Sequence, residues 1–271
     1  MPKVSILMPV YNAEQYLSQA LDSIVSQSFE DWELILINDG STDRSESIIM
    51  DYDDERIFYI KNPVNLKLIK TLNKGIDYCG GQYIARMDAD DICHPDRLKR
   101  QVEFLDSHPQ VLMCGTAAAV IDNSGKKTGH IHNLTSDDYL QINLMFSPSF
   151  IHPSMMIRTE VLKQNKYDEA YKHVEDYELW CRIAKLGKVG LMRKMQPLAP
   201  ALGKKQLPVL EDKYVAISAQ AKGAAVLRCP VGHGQKGQGG VNMRCLGLVG
   251  HGGLAVGGDA ALCIAHQQGV A

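Results

Sequence analysis

Three carboxylates stand within four positions at Asp88, Asp90 and Asp91, in the stretch RMDADDICHPDRL, Arg86 to Leu98. Like charges this close repel one another, and folding alone gives no reason to crowd them. A cluster of oxygen-only ligands suits a hard divalent cation, Mg2+ or Mn2+, that keeps waters and shares the phosphate oxygens of a substrate. The competing reading is a solvated loop in which Asp91 helps cap the helix after Pro95. A second acidic turn favours the site. Asp39, in ILINDGSTD, precedes Gly40, which takes tight-turn backbone angles. An aspartate there can accept a hydrogen bond from a base imide, while Tyr11 offers a ring for stacking. The alternative is an ordinary strand-to-helix turn. A third acidic pair, Glu175 and Asp176, opens HVEDYELWCRIAKLG. Acids at a helix start interact favourably with its dipole. Facing a metal site across a cleft, such a pair also supplies a general base.

The elements that must position these groups alternate from the first residues. VSILMPV (Val4–Val10) is a continuous apolar run, as expected for a strand covered on both faces. Asn12 and Gln15 resemble a capping box, and Leu17, Leu21, Ile24 and Val25 follow at helical spacing. ELILIND is a second buried strand and RIFYIK a third. Leu68, Leu72 and Ile76 mark a helix that closes near Gly80-Gly81. QYIARM is the next strand, and Pro95 fits the first helical position before Leu98, Val102 and Leu105. This rhythm predicts an α/β fold, a mostly parallel Rossmann-like sheet with helices on both faces. The loops after its first, second and fourth strands carry Tyr11, Asp39 and Asp88–Asp91. Ligands of such sheets bind outside the carboxyl ends of the strands, so all three belong to one rim.

Net charge divides the 271 residues unevenly: −8 over residues 1–192 and +6 over 193–271. An acidic body argues against nucleic acid as a partner. Seven cysteines, scattered and without C-x-x-C, suit reduced thiols in the cytoplasm. The opening apolar run is too short for a signal peptide, and no stretch reaches the roughly 18 apolar residues of a membrane span. Beyond Trp180 only Tyr214 is aromatic, while 14 of the 23 glycines follow residue 200. The expected organisation is therefore a domain over 1–192 and a Gly/Ala-rich basic tail over 193–271, irregular or disordered. The tail's positive charge suits an anionic surface, which adds peripheral association with the inner face of a membrane to the expectations. Its Cys and His spacings match no regular zinc pattern.

PVYN, INDGSTD, ARMDADD, HPDRL and EDYELWCR occur in this order, and together they resemble the family 2 glycosyltransferases of GT-A fold. The resemblance spans residues 3 to about 192. It implies an inverting transfer from a nucleotide-sugar to an acceptor hydroxyl on a glycan or lipid-linked acceptor. By the same resemblance Pro9, Tyr11 and Asp39 hold the nucleotide base, commonly uracil, and Lys70 and Asn73 border the nucleotide. Asp88 matches the first acid of the DxD motif, near the ribose, and Asp90 the second, toward the diphosphate-bound Mn2+ or Mg2+. His152 lies on the acceptor side, and Asp176 matches the catalytic base with Glu175 beside it. Cell-surface polysaccharide or lipid-linked oligosaccharide synthesis is the usual setting.

Two departures stand out. The residue before Leu68 is often glycine in relatives and is Lys67 here, a change expected to be tolerated beside a diphosphate. The Tyr-Arg-x-His string that helps hold the diphosphate in relatives is missing after Met195. A catalytically impaired nucleotide-binding remnant with a replaced C-terminus is therefore a second reading. A sugar-nucleotidyltransferase is a third, disfavoured because PVYNAEQYL has neither glycine nor arginine.

Overall fold

The apolar run Val4–Val10 becomes β1, and its alternate side chains divide between two cores, as a strand buried on both sides requires. Val4, Ile6, Met8 and Val10 face one core, and Leu7 faces the other. The computed structural model describes residues 1–122, 127–131, 137–192 and 199–200. After β1 come α1 (Leu17–Val25), β2 (Trp32–Asn38), α2 (Ser45–Met50), β3 (Ile57–Lys61), α3 (Leu68–Tyr78) and β4 (Tyr83–Arg86). Next are β5 (Asp91–Ile92), α4 (Arg97–Ser107), β6 (Val111–Thr116), β7 (Ala118–Ile121), β8 (Lys127–Ile131) and α5 (Asp137–Asn143). A single 3₁₀ turn at His152–Ser154 leads to β9 (Met156–Arg158), α6 (Thr159–Gln164), α7 (Glu175–Ala184), β10 (Lys188–Met192) and β11 (Ala199–Pro200).

Seven strands form the main sheet in the order β10-β6-β9-β4-β1-β2-β3. All its pairs are parallel except those of β9, which runs antiparallel between β4 and β6. The chain steps from β1 outward to β2 and β3, then returns to lay β4 on the other side of β1. That reversal opens a crevice at the carboxyl ends of β1 and β4. Helices α1, α2 and α4 pack on one face of the sheet and α3, α5, α6 and α7 on the other. The α3 helix lies close because of Gly75. A Cβ there would collide with Leu7 Cδ1 and would lie 2.7 Å from Ile37 Cδ1.

Two local expectations are corrected. Asn12 does not start α1, which begins at Leu17. Instead Asn12 sits at φ 49°, and its Oδ1 accepts from Thr42 N at 2.8 Å. Its side chain is used across the β1 and β2 loops, so it cannot serve the helix behind it. Likewise α4 begins at Arg97, two residues after Pro95, and Asp91 does not cap it. Asp91 is buried in β5, while Gln27 Oε1 accepts from Leu98 N at 3.1 Å in the first turn of α4. Two residues from the segment expected to be irregular, Ala199 and Pro200, pair antiparallel with Ile92 and Asp91. The other expectations for 193–271 lie outside the described residues.

Candidate active site

Two loops at the rim are laced together by reciprocal side-chain to backbone hydrogen bonds. Asn12 N donates to Ser41 Oγ at 3.1 Å, Ala13 N to Ser45 Oγ at 2.9 Å and Glu14 N to Asp43 Oδ2 at 3.0 Å. In return, Arg44 N donates to Glu14 Oε2 at 3.0 Å. The polar residues of PVYN and GSTD thus satisfy each other's backbone, as Ser, Asn and Asp do in turns. The lacing leaves Tyr11 projecting with half its surface exposed, beside the end of β2. Pro9 lies within β1, opposite Ile37.

Asp39, at the end of β2, is buried and accepts three hydrogen bonds. Asn62 Nδ2 donates to its Oδ1 at 2.8 Å, Leu66 N to the same oxygen at 2.9 Å and Lys67 N to Oδ2 at 3.1 Å. These fix the loop that leads into α3. Lys74 Nζ donates to Asn62 Oδ1 at 2.6 Å and extends the chain. Neither Asn62 nor Lys74 is distinguishable from sequence, because their role arises only when β3 and α3 meet Asp39. Lys67 occupies the position of the departure noted in the sequence. It adopts φ 73° and ψ 161°, a region in practice reserved for glycine, so the departure carries backbone strain.

The carboxylates of Asp88, Asp90 and Asp91 converge, with one oxygen from each within 4.8 Å of the others. Asp90 opens to solvent on one side and is enclosed by the loop on the other. That enclosure, together with the Asp88 charge, pushes its carboxyl up to about 6. Asp91 is fully enclosed; burial first, then Asp88 and Asp90, drive its carboxyl well above the usual range. Its Oδ2 is buried without a hydrogen-bond partner. Hard oxygen donors that resist ionisation alone, one of them orphaned, fit a divalent cation, whose charge reverses this logic.

Behind the cluster lies a residue that the acidic motif hides from sequence reading. Arg86, at the end of β4, is buried and ion-paired through Nη1 with Asp88 Oδ1. Arg97, of HPDRL, is also buried; its Nη2 donates to the carbonyls of Arg86 at 2.8 Å and Met155 at 3.2 Å. A long basic residue on a helix reads as surface. Here it ties the end of β4 to the chain entering β9.

On the far side stand the expected base and its neighbours. Glu175 begins α7 and is buried, with Oε2 lacking a hydrogen-bond partner. Asp176 Oδ1 accepts from Tyr177 N at 2.7 Å. Burial, and then Glu175, hold the Asp176 carboxyl above the usual aspartate range, while Arg86 opposes them. His152 lies in the 3₁₀ turn, its Nε2 2.7 Å from Tyr167 Oη and its ring edge-on to Trp180. Burial, assisted by Arg86, pushes its imidazole well below the usual value. Tyr167 is buried with its phenol raised by the same burial, and it feels Arg86, Asp176, Glu175 and Asp88 together.

Lys70 and Asn73, which the resemblance sets beside the nucleotide, tie α3 to the chain before α7. Asn73 spends both ends of its amide on the Tyr167 backbone: Nδ2 donates to the carbonyl at 2.8 Å, and Oδ1 accepts from the N–H at 2.9 Å. Lys70 Nζ lies 3.6 Å from Glu169 Oε2. Asp77 pairs with Lys166. One stripe of α3 therefore fastens residues 166–169 of the chain entering α7. A groove of about 430 Å³ lined by Glu33, Phe58 and Tyr78 lies along the outer strand β3, apart from the acids.

A mostly parallel α/β sheet whose carboxyl rim gathers a convergent acidic cluster is the architecture of the GT-A fold. The chain belongs to glycosyl transferase family 2, whose family model matches residues 5–165. It is similar to an uncharacterized glycosyltransferase of Haemophilus influenzae, 36% identical over 200 residues, 69% of this chain and 61% of that one. Similar too are EpsE of Bacillus subtilis, 37% identical over 69% of this chain and 68% of its own, and the amylovoran biosynthesis glycosyltransferase AmsE of Erwinia amylovora, 34% identical over 68% and 70%. The match therefore spans about three-fifths to seven-tenths of these relatives' length.

Among solved structures, S. aureus TarS in complex with UDP-GlcNAc superposes with a TM-score of 0.61 at 20% identity, over 74% of this chain and 59% of that one. The Pyrobaculum calidifontis mannosyltransferase PcManGT, in complex with GDP-Man and Mn2+, gives 0.59 at 18%, over 76% and 58%. These two likenesses carry the fold. Among the described residues no helix is long and apolar enough to cross a membrane.

Proposed function

We propose that the chain is an inverting glycosyltransferase that moves a sugar from a nucleotide-sugar, a UDP-sugar in the leading reading, to an acceptor hydroxyl. The observation that carries this is the convergence of Asp88, Asp90 and Asp91 within 4.8 Å at the rim that also bears Asp39 and Tyr11. UDP-GlcNAc in TarS and GDP-Man with Mn2+ in PcManGT support a nucleotide-sugar donor and a divalent ion. AmsE supports a polysaccharide setting.

Each step rests on a residue of this chain. Tyr11 offers its exposed ring to the base. Asp39 shapes the base pocket by pinning residues 66 and 67. Asp88 faces the ribose, and Asp90 and Asp91 would hold Mn2+ or Mg2+. When bound, that ion neutralises charge developing on the leaving diphosphate. Asp176 takes the proton of the acceptor hydroxyl as that oxygen attacks the anomeric carbon and the C–O bond to the diphosphate breaks. The raised basicity that burial gives Asp176 suits this role. His152, held by Tyr167 and Trp180, borders the acceptor side. No covalent sugar–enzyme intermediate is needed, so one displacement inverts the centre.

Screening UDP- and GDP-sugars with Mn2+ for release of nucleoside diphosphate, and reading the anomer of the product by NMR, tests the proposal. One donor is turned over, with inversion. Binding of a nucleoside diphosphate without turnover of any donor would favour the remnant reading, and retention would overturn the mechanism.

A further inference from the structure

Arg86 presents an unusual problem. A guanidinium at 3% exposure is costly to desolvate and survives only with compensating charge. Among the described residues its one ion pair, to Asp88, uses Nη1, and neither Nη1 nor the buried Nε makes a well-formed hydrogen bond. Fewer hydrogen bonds than a buried arginine can make argue against a purely structural anchor. Arg97, which spends its donors on Gln101 and on two backbone carbonyls, is the contrasting case. What Arg86 meets is instead negative: it pairs with Asp88, whose carboxylate converges with those of Asp90 and Asp91.

We infer that Arg86 is the internal counter-ion of the acidic cluster, holding Asp88 and balancing its neighbours in the absence of metal, and therefore opposing the divalent cation that Asp90 and Asp91 would hold. Arrival of the cation makes the cluster electrically self-sufficient, and the Asp88–Arg86 pair becomes the weaker partner. Arg86 is thus a positioning residue. It keeps the loop assembled between turnovers and weakens metal binding so that ion and diphosphate can leave. This inference rests on the proposed metal site at Asp90.

The test measures Mn2+ binding by calorimetry and melting temperature with and without Mn2+, in the full chain, for wild type, Arg86→Lys and Arg86→Gln. Removing a unit charge at this range is expected to tighten Mn2+ binding roughly tenfold or more in Arg86→Gln. Arg86→Lys keeps the charge on a shorter reach and falls between the two. The metal-free melting temperature follows the reverse order, and Mn2+ restores most of the loss. Should Arg86→Gln fail to fold, the comparison of Arg86→Lys with wild type still decides. Metal affinity that is unchanged or weaker in a folded variant overturns the inference, because loss of a merely structural anchor lowers stability without tightening metal binding. If wild type itself binds no Mn2+, with or without UDP, the metal site fails first. Metal-binding wild type with a flat variant series defeats the Arg86 inference alone.

Discussion

Lys67 donates its backbone N–H to Asp39 Oδ2 at 3.1 Å while holding φ at 73°, so the tightest turn at the rim is clamped by the buried carboxylate beneath it. The strain and the clamp offset each other. Glycine would reach the same angles at no steric cost, so Lys67→Gly is expected to stabilise the fold by about 1–2 kcal/mol. Thermal unfolding checks this. An unchanged or lower melting temperature would show that the lysine side chain contributes something the backbone geometry does not reveal.

Asp39→Ala removes the acceptor for Asn62 Nδ2, Leu66 N and Lys67 N together. Asn62 Nδ2 keeps Thr71 Oγ1 and Lys67 N keeps Asn65 Oδ1, so Leu66 N is the donor left unpaired, and a loss of about 1–3 kcal/mol is expected in urea denaturation. UDP affinity falls with it, because the loop shaping the base pocket is released. Full stability with lost UDP binding would instead make Asp39 a ligand contact alone.

Asn73→Ala separates positioning from binding. It breaks the two bonds to the Tyr167 backbone and is expected to lower stability by about 1–3 kcal/mol. Transfer falls as the chain leading to Asp176 loosens, while UDP affinity stays near wild type. A large loss of UDP affinity with unchanged stability would restore Asn73 to the nucleotide border.

Transfer should also report the environment of Asp176. Its carboxyl is raised, chiefly by burial, and the base must be ionised, so activity is full above that raised value and is lost as pH falls through it. The acidic limb therefore lies above the ordinary aspartate value of about 3.9. For folding the sign is opposite: the native state binds this proton more tightly than the unfolded chain, so this group's contribution grows as pH falls. Asp176→Asn should cut kcat by about 10²–10⁴-fold with donor affinity intact. A pH–rate profile whose acid limb lies at the ordinary value, or transfer retained in Asp176→Asn, would move the base elsewhere.

The sheet was legible because buried parallel strands write themselves as unbroken apolar runs, and β1 and β2 lie within a residue of where VSILMPV and ELILIND place them. The rim followed from topology, since the ends of β1, β2 and β4 coincide in any such sheet. Helix starts were less legible. Asn12 looks like a cap in sequence, and only the neighbouring GSTD loop reveals that its side chain is already used. Arg86 and Arg97 escaped for a related reason. Charge predicts exposure, and their burial depends on carbonyls and carboxylates brought together from distant strands. Asn62 and Tyr167 carry no local signal, because each acquires its role through partners that other elements bring to it.

The central claim is that the DADD loop binds a divalent ion together with a nucleoside diphosphate. Calorimetric titration of UDP, and of GDP in parallel, into the full chain with Mn2+ and then with EDTA tests it most directly, with Asp90→Asn alongside. The account predicts that one nucleotide binds in Mn2+, weakens at least about tenfold in EDTA, and is weak in Asp90→Asn whether or not Mn2+ is present. Equal affinity in Mn2+ and EDTA, or an Mn2+ dependence that survives Asp90→Asn, would contradict it.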